Sequence, residues 1–223
     1  MCGRFTLTVR PEKIAQELGI PVEHLPKIPP RFNIAPGQSV LCLTQTPEEG
    51  PAVSSFQWGL VPAWAEDPAL GMHMINARAE SLTEKPSFRG PLKESRCLIP
   101  ADGFFEWKAA EEGKVPYYFR LRSRGVFTFA GLWTRWTAPT GVALRTCTII
   151  TTRPNALVAG IHPRMPVILA KKDRAAWIDP ANYDTRQLTS LLEPYPASAM
   201  ETYPVSRTVN DPENDTDECI IKL

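Results

Sequence analysis

The second residue of the chain would combine two nucleophiles in one place. Cys2 follows the initiator methionine, so removal of Met1 would give it a free α-amine beside its thiol. The pKa of such an amine is about 8 and that of the thiol is about 8.5, so each group has a reactive fraction at neutral pH. The amine can form a Schiff base with an aldehyde, and the thiol can close onto the same carbon to give a five-membered ring. Because a second residue more often lies in a frayed terminus without a role, other residues must support this chemistry.

Three polar side chains could assist such a reaction. Glu106 lies between two aromatic residues on a predicted strand, and desolvation would raise the pKa of an inward-facing carboxyl there. Spacing alone, however, favours a solvated outer-face glutamate that pairs with Lys108. His162 could act as a general acid or base, or could be a loop histidine with one hydrogen bond. Asn76 could orient an amine or a carbonyl, although capping a turn is the commoner role of asparagine.

Four other side chains could bind a nucleic acid. Arg4, Arg78 and Arg164 could each hold a phosphate, because guanidinium matches phosphate bidentately. Each of them alone is more often an ordinary surface ion pair. Trp64, in a proline-flanked loop, is the tryptophan best placed to stack on an unpaired base, and the other tryptophans are expected mostly in the core. With a net charge of +1, any polyanion site must be a local patch.

Composition excludes several other classes of protein. The chain has 223 residues, of which 43% are hydrophobic, so it can bury a sizeable core. Its five cysteines are widely spaced, with no C-x-x-C pair and no zinc spacing, which predicts free thiols in a reducing cytosol. No secretory signal and no apolar run of membrane-spanning length is present, so we expect no membrane association. A Gly-rich phosphate loop and an H-E-x-x-H motif are both absent from the sequence, and we expect neither a metal nor a cofactor.

The pattern of apolar residues predicts many strands and few helices. Helices are predicted at 11–18, 173–178 and 185–192, with one helical turn at 154–158. Strands are predicted at 39–44, 52–58, 97–108 (bent at residues 102–103), 116–122, 126–133, 142–151, 167–169 and 203–205. We expect 39–44 to pair with 52–58 across the turn 47–50, and 116–122 to form a hairpin with 126–133. The proline-rich segment 21–36 is expected to run extended over the surface.

These elements predict one α+β domain. Strands outnumber helices and the connections are of hairpin length, which favours a mainly antiparallel, barrel-like β-sheet core with short peripheral helices. We see no internal repeat and no linker that would divide the chain. The domain is assigned to residues 2–206, followed by a polar C-terminal tail at 207–223. Because 210–217 is polar and acidic, this tail is expected to be loose.

Six short motifs in a fixed order resemble those of a known family. They are MCGRF at 1–5, NIAPG at 33–37, WGLVPAW at 58–64, INARAE at 75–80, GFFEW at 103–107 and IHPRMP at 161–166. Together they resemble the motif set of the SRAP family, the SOS-response-associated peptidase or abasic-site processing proteins. The motifs cover the chain from residue 1 to about 166, and the set as a whole is far more specific than any one of its members.

The resemblance implies a protein that recognises abasic sites in single-stranded DNA and crosslinks to them. Cys2 would attack the ring-opened deoxyribose aldehyde and form a stable thiazolidine, which shields the lesion from strand cleavage. Asn76 would position the nucleophile, Glu106 would shuttle protons, and His162 would assist opening of the sugar ring and reversal of the link. The DNA-binding residues would be Arg4, Arg78, Arg164 and Trp64. We expect a monomer, the default for a site the size of one lesion, and the cytoplasmic location that the cysteines and the absence of a targeting segment predict, with association to the nucleoid when the protein is bound to DNA.

The sequence is also compatible with two other functions. Cys2, His162 and Glu106 could form a thiol peptidase or an autoproteolytic hydrolase. Alternatively, the arginines and Trp64 could make a non-catalytic single-strand binder. The α-amine distinguishes the first of these, since a peptidase needs only the thiol whereas a thiazolidine needs a free Cys2 amine.

Overall fold

The computed structural model describes residues 2–47 and 50–223. Its strands are β1 (Phe5–Leu7), β2 (Arg31–Ile34), β3 (Ser39–Thr46), β4 (Gly50–Trp58), β5 (Asn76–Arg78), β6 (Arg96–Ala101), β7 (Gly103–Ala110), β8 (Gly113–Leu121), β9 (Phe127–Thr137), β10 (Ala143–Thr152), β11 (Met165–Pro166), β12 (Ile168–Leu169) and β13 (Met200–Pro204). Its α-helices are α1 (Pro11–Leu18), α2 (Pro86–Glu94), α3 (Ala156–Ala159), α4 (Arg174–Ile178) and α5 (Thr185–Ser190). Short 3₁₀ helices span Val22–His24, Pro68–His73, Ala79–Ser81, Lys171–Asp173, Ala197–Ala199, Arg207–Asn210 and Asp217–Ile220. Across these described ranges, no helix has the length and apolar character needed to cross a membrane.

Five strands close into a barrel. Strand β3 pairs antiparallel with β4 and β6, β6 pairs antiparallel with β9, and β9 pairs antiparallel with β10. Parallel pairing of β10 with β4, where Cys147 lies opposite Trp58, completes the ring. Strand β5 pairs in parallel with β10, beside this ring. A barrel of this kind leaves no open edge among its five strands and encloses the apolar side chains that alternate along them.

A second sheet of five antiparallel strands, in the order β13-β8-β7-β1-β2, packs against the barrel. Strand β1 lies inside this sheet, with Phe5 opposite Phe104 of β7 and Ile34 of β2. The Phe5 ring is buried and meets the barrel rings of Trp58 and Phe129 edge-on, at centroid distances of 5.2 and 5.7 Å. The first strand of the chain is therefore part of the core between the two layers.

A buried carboxylate fixes β1 where the chain passes from the barrel to the second sheet. Asp102 accepts hydrogen bonds from the Thr6 hydroxyl at 2.5 Å and from the Thr8 hydroxyl and backbone N–H at 2.6 and 2.7 Å. The Tyr118 hydroxyl lies 2.9 Å from the same Thr6 oxygen. Because Asp102 and Thr6 are both buried, these bonds satisfy polar groups that would otherwise be costly to bury.

The main features predicted from the sequence are confirmed. The chain is a single α+β domain with a barrel-like, mainly antiparallel core and short helices. Helix α1 has the predicted bounds and ends at Gly19, whose φ of 70° is the left-handed conformation that glycine adopts readily. Strands β3 and β4 pair as expected, although residues 48 and 49 of their turn lie outside the described residues. The predicted bend at residues 102–103 separates β6 from β7.

The predicted hairpin between 116–122 and 126–133 is wrong. Strand β8 pairs with β7 and β13 in the second sheet, whereas β9 pairs with β6, β10 and β12 in the barrel. The intervening turn, in which Arg124 has a φ of 53°, carries the chain from one layer to the other. Turn residues between two alternating segments indicate a reversal but not whether the two segments pair. Helix α2 was not predicted from the sequence.

The segment 21–36 and the C-terminal tail are more ordered than expected. Strand β2 belongs to the second sheet, and its Asn33 is fully buried. The Asn33 amide donates, at 2.9 to 3.1 Å, to three carbonyls of the tail, those of Val209, Asp211 and Asn214. Asp215 accepts from the Asn33 N–H at 2.8 Å and pairs with Arg31. The residues expected to be loose are thus folded onto β2, and a domain boundary at residue 206 stays a prediction.

Gly103 should be required for the attachment of β1. A Cβ at this position would lie 2.1 Å from the Tyr118 hydroxyl oxygen, and that ring is buried and cannot swing away. We expect Gly103→Ala to lower the free energy of unfolding by about 1–3 kcal/mol, the usual cost of overpacking. Urea denaturation would measure the change. Gly90→Ala is the matched control, because nothing lies within 4 Å of its added Cβ; equal stability of the two variants would contradict this account.

Candidate active site at the N-terminus

Cys2 is held in the interior rather than in a frayed terminus. Its side chain has no exposed surface, and its carbonyl oxygen accepts a hydrogen bond from Asn76 Nδ2 at 2.9 Å. Its thiol faces the Arg4 carbonyl oxygen at 3.7 Å. Since β1 begins only three residues later, the pairing of Phe5 with its neighbours places the second residue of the chain at the junction of the two layers.

Asn76 reaches Cys2 from the barrel side of the molecule. It is the first residue of β5 and pairs with Ile149 of β10, so its backbone position is fixed by the barrel. Its Oδ1 is buried and has no hydrogen-bond partner among residues 2–47 and 50–223. Asn76 therefore holds the Cys2 carbonyl with one end of its amide and keeps a hydrogen-bond acceptor at the other end.

Glu106 faces inward, so the outer-face pairing with Lys108 that spacing favoured is wrong. Glu106 is only 2% exposed, whereas Lys108 is exposed. Burial raises the pKa of the Glu106 carboxyl to about 7. The neighbouring residues Phe104 and Phe105 are both fully buried, because the barrel covers one face of β7 and the C-terminal segment covers the other. A strand covered on both faces lacks the alternation from which the orientation of Glu106 could have been inferred.

His162 follows α3 and lies beside Glu106. Its Nδ1 is 3.7 Å from Glu106 Oε1, 2.9 Å from the Arg164 carbonyl oxygen and 3.1 Å from the Arg164 backbone nitrogen. The imidazole can thus bond its own loop in either tautomer. Burial lowers the pKa of His162 below its ordinary value, so the ring is mainly neutral at physiological pH.

The same burial keeps the Cys2 thiol protonated. Desolvation raises the pKa of this thiol far above its ordinary range, and the nearby Glu106 carboxylate raises it further. All five cysteines of the chain are buried and free of disulfide bonds. Among the described residues, no group of three or more His, Cys, Asp or Glu side chains could hold a metal ion.

The predicted DNA-binding arginines differ in how they are held. The half-buried Arg4 guanidinium donates to the Gly3 carbonyl at 3.0 Å and to the Asn210 carbonyl at 3.3 Å. Arg164 forms a bidentate ion pair with Glu80 at 2.7 and 2.8 Å, the arrangement that the sequence analysis gave as the ordinary alternative to phosphate binding. Arg78 is exposed.

The environment of Trp64 differs from that of the three arginines. Trp64 is 62% exposed and lines a cavity of about 500 Å³ together with the acidic residues Glu66 and Asp67. It lines neither the cavity that contains Glu106 and His162 nor the cavity that contains Asn76, Arg78 and Arg164. The exposed ring is available for stacking, but its role in binding DNA stays a prediction.

Two cavities flank the loop that carries His162. One, of about 870 Å³, is lined by Asn76, Arg78, Glu80, Ser81, Lys85, Phe88, Pro163 and Arg164. The other, of about 530 Å³, is lined by Glu106, Trp107, Glu112, Gly113, Lys114, His162, Arg207 and Asn210. The structure therefore unites Cys2, Asn76, Glu106 and His162 between two clefts. Lys85, Lys114, Arg207 and Asn210 also line these clefts and were not predicted, since no motif or spacing marks them.

Comparison with known proteins identifies the family to which the chain belongs. The family model for "SOS response associated peptidase (SRAP)" matches residues 1–212. The chain is 47% identical to the abasic site processing protein YoqW of Bacillus subtilis, over 99% of both chains, and 35% identical to the abasic site processing protein HMCES of Gallus gallus, over 75% of this chain and 56% of that one. A crystal structure of a protein from Bacteroides thetaiotaomicron, 28% identical, superposes over the full length of both chains with a TM-score of 0.88. The chain belongs to the SOS response associated peptidase (SRAP) family.

Proposed function

We propose that this protein processes abasic sites in single-stranded DNA by forming a covalent thiazolidine through Cys2, after removal of Met1. The observation that carries the proposal is the position of Cys2, which is anchored by Asn76 and lies next to the acid–base pair Glu106 and His162. The names of the relatives YoqW and HMCES, both abasic site processing proteins, support the same substrate. The link would shield the lesion from strand cleavage.

The residues of the site fit each step of this reaction. An abasic sugar exists mainly as a closed hemiacetal. The neutral His162 imidazole can take the proton of the anomeric hydroxyl and return a proton to the ring oxygen as the bond between that oxygen and the anomeric carbon breaks, which exposes the aldehyde. The Cys2 amine then adds to the aldehyde carbon, and protonated Glu106 donates the proton with which the oxygen leaves as water. The thiol adds to the resulting imine carbon, and its proton passes to the Glu106 carboxylate. One C–N and one C–S bond form, and one water leaves.

The protonation states favour this chemistry over thiol proteolysis. A cysteine peptidase needs a thiolate, which is the nucleophilic form, and such sites lower the pKa of the thiol. Burial and the Glu106 carboxylate instead raise the pKa of the Cys2 thiol. A carboxyl with a pKa of about 7, by contrast, is suited to both giving and taking a proton near neutral pH. Peptidase activity is therefore the weaker of the two candidates.

Binding of the strand is assigned to side chains around this centre. We propose that Arg4, Arg78 and Arg164 contact phosphates and that Trp64 stacks on a base, with Arg164 exchanging its ion pair with Glu80 for a phosphate. Such contacts make binding weaker as salt rises. The monomeric state, the cytoplasmic location, the association with the nucleoid and a place in the SOS response stay predictions.

The covalent product can be tested by intact mass spectrometry. Mixing the Met1-free protein with an abasic single-stranded oligonucleotide should give a species with the mass of protein plus DNA minus one water. Cys2→Ala keeps an N-terminal amine but lacks the thiol. This variant should give no stable adduct alone, and an adduct should appear when a borohydride reagent traps the imine.

Two results would count against the proposed function. The first is a stable adduct with Cys2→Ala in the absence of the reducing agent, because the thiol would then not be needed for the product. The second is binding of the abasic strand by the wild-type protein without any covalent product, which would favour a non-catalytic binder.

The protonation of Glu106 predicts a pH dependence of stability. The pKa of this carboxyl rises from 4.5 to about 7 on folding, so its contribution to stability is complete below about pH 4.5 and is lost as the pH rises through 7. At about 1.4 kcal/mol per pKa unit, this loss amounts to about 3 kcal/mol. Glu106→Gln should remove that part of the decline in the free energy of unfolding. Urea denaturation between about pH 5 and 8 would measure it, with the exposed Glu112→Gln as the control; parallel pH profiles for wild type and Glu106→Gln would exclude a raised pKa.

A further inference from the structure

The position of the reacting centre between two clefts raises the question of what the second cleft binds. An abasic nucleotide within a strand has a sugar–phosphate backbone on both of its sides. The 870 Å³ cavity contains Arg78 and Arg164, which the proposed function already assigns to phosphates. The 530 Å³ cavity lies on the other side of the His162 loop, directly against Glu106, and none of the predicted DNA-binding residues lines it.

Two cations line this second cavity from different parts of the chain. Lys114 is near the start of β8, and Arg207 begins the 3₁₀ helix that follows β13. Both side chains are exposed, and Arg207 is oriented by a hydrogen bond of 2.8 Å to the Glu112 carbonyl. The ammonium of Lys114 lies close enough to oppose the burial-raised pKa of Glu106 and to lower the pKa of His162 further. Two cationic side chains therefore line the cavity next to the reacting centre.

The wall of the cavity is rigidly supported. Asn210 accepts a hydrogen bond from Trp107 Nε1 at 2.8 Å through its side chain and one from Arg4 at 3.3 Å through its carbonyl. The segment that contains Asn210 and Arg207 is in turn fixed by the three bonds from buried Asn33. The C-terminal segment thus joins the second cavity to the Cys2 end of the chain. A cavity formed in advance binds a ligand without the cost of ordering its walls.

We propose that the cavity lined by Lys114 and Arg207 binds the backbone phosphates on one side of the reacting nucleotide, while the cavity lined by Arg78 and Arg164 takes the other side. This inference rests on the proposed function and adds Lys114 and Arg207 to the DNA-binding residues. Glu112 lines the same cavity and opposes a phosphate there. Removal of the Glu112 charge should therefore strengthen DNA binding, whereas removal of the Lys114 or the Arg207 charge should weaken it.

The test is the salt dependence of binding to a single-stranded oligonucleotide that contains a stable abasic analogue. Lys114→Ala and Arg207→Ala should each weaken binding on the order of tenfold at low salt and lower the slope of log K against log salt by about 0.7, the value for one phosphate contact in a single strand. Glu112→Gln should tighten binding. Lys108→Ala is the matched control, since Lys108 is an exposed lysine of the neighbouring strand that does not line the cavity.

A second measurement locates the contact on the DNA. Neutral methylphosphonate linkages, placed on one side of the analogue at a time, should abolish the effect of Lys114→Ala on one side only. If Lys114→Ala and Arg207→Ala bind with the same affinity and salt slope as Lys108→Ala, the inference is wrong, even where the Cys2 adduct still forms. Loss of the adduct in the wild-type protein would instead overturn the proposed function itself, so the two failures are distinguishable.

Discussion

The insertion of strand β1 between β2 and β7 is the constraint on which the site depends. Three residues, Phe5–Leu7, hold the start of the chain in the middle of a sheet, with the Phe5 ring packed against the barrel. Burying one such ring contributes about 1.5–3 kcal/mol, and the bonds from Thr6 and Thr8 to Asp102 fix the register. A terminus that would otherwise fray becomes a fixed point, which the proposed reaction requires because the amine and thiol of one residue must meet a single carbon.

One physical cause, burial, sets the protonation of all three reactive side chains. It raises the pKa of the Cys2 thiol, raises that of Glu106 to about 7 and lowers that of His162. Each group is thereby shifted toward its neutral form. Neutral groups suit condensation with an aldehyde. In that reaction one group must donate a proton to the leaving oxygen, and a group must later accept the proton of the thiol. Neutral groups do not suit hydrolysis by a thiolate.

The sequence allowed the fold class, helix α1 and the β3–β4 pair to be predicted, because each rests on local periodicity and turn residues. It also singled out four residues that the structure brings together, although their joint role was inferred only from the ordered motif set. The predictions that were wrong depended on contacts between residues far apart in the sequence. The orientation of Glu106, the separation of β8 from β9 and the order of the C-terminal segment all depend on which layer covers a strand. Asn33 illustrates this, since its three partners lie more than 170 residues away.

The central claim is that one residue supplies both bonds to the lesion, and peptide mapping of the purified adduct tests it most directly. After nuclease and trypsin digestion, the N-terminal peptide that ends at Arg4 should carry the sugar remnant on Cys2. In that peptide the thiol should not react with alkylating reagents and the α-nitrogen should not react with reagents specific for primary amines, since both would be engaged in the ring. A remnant on another residue, or a Cys2 whose amine remains free to react, would contradict the account.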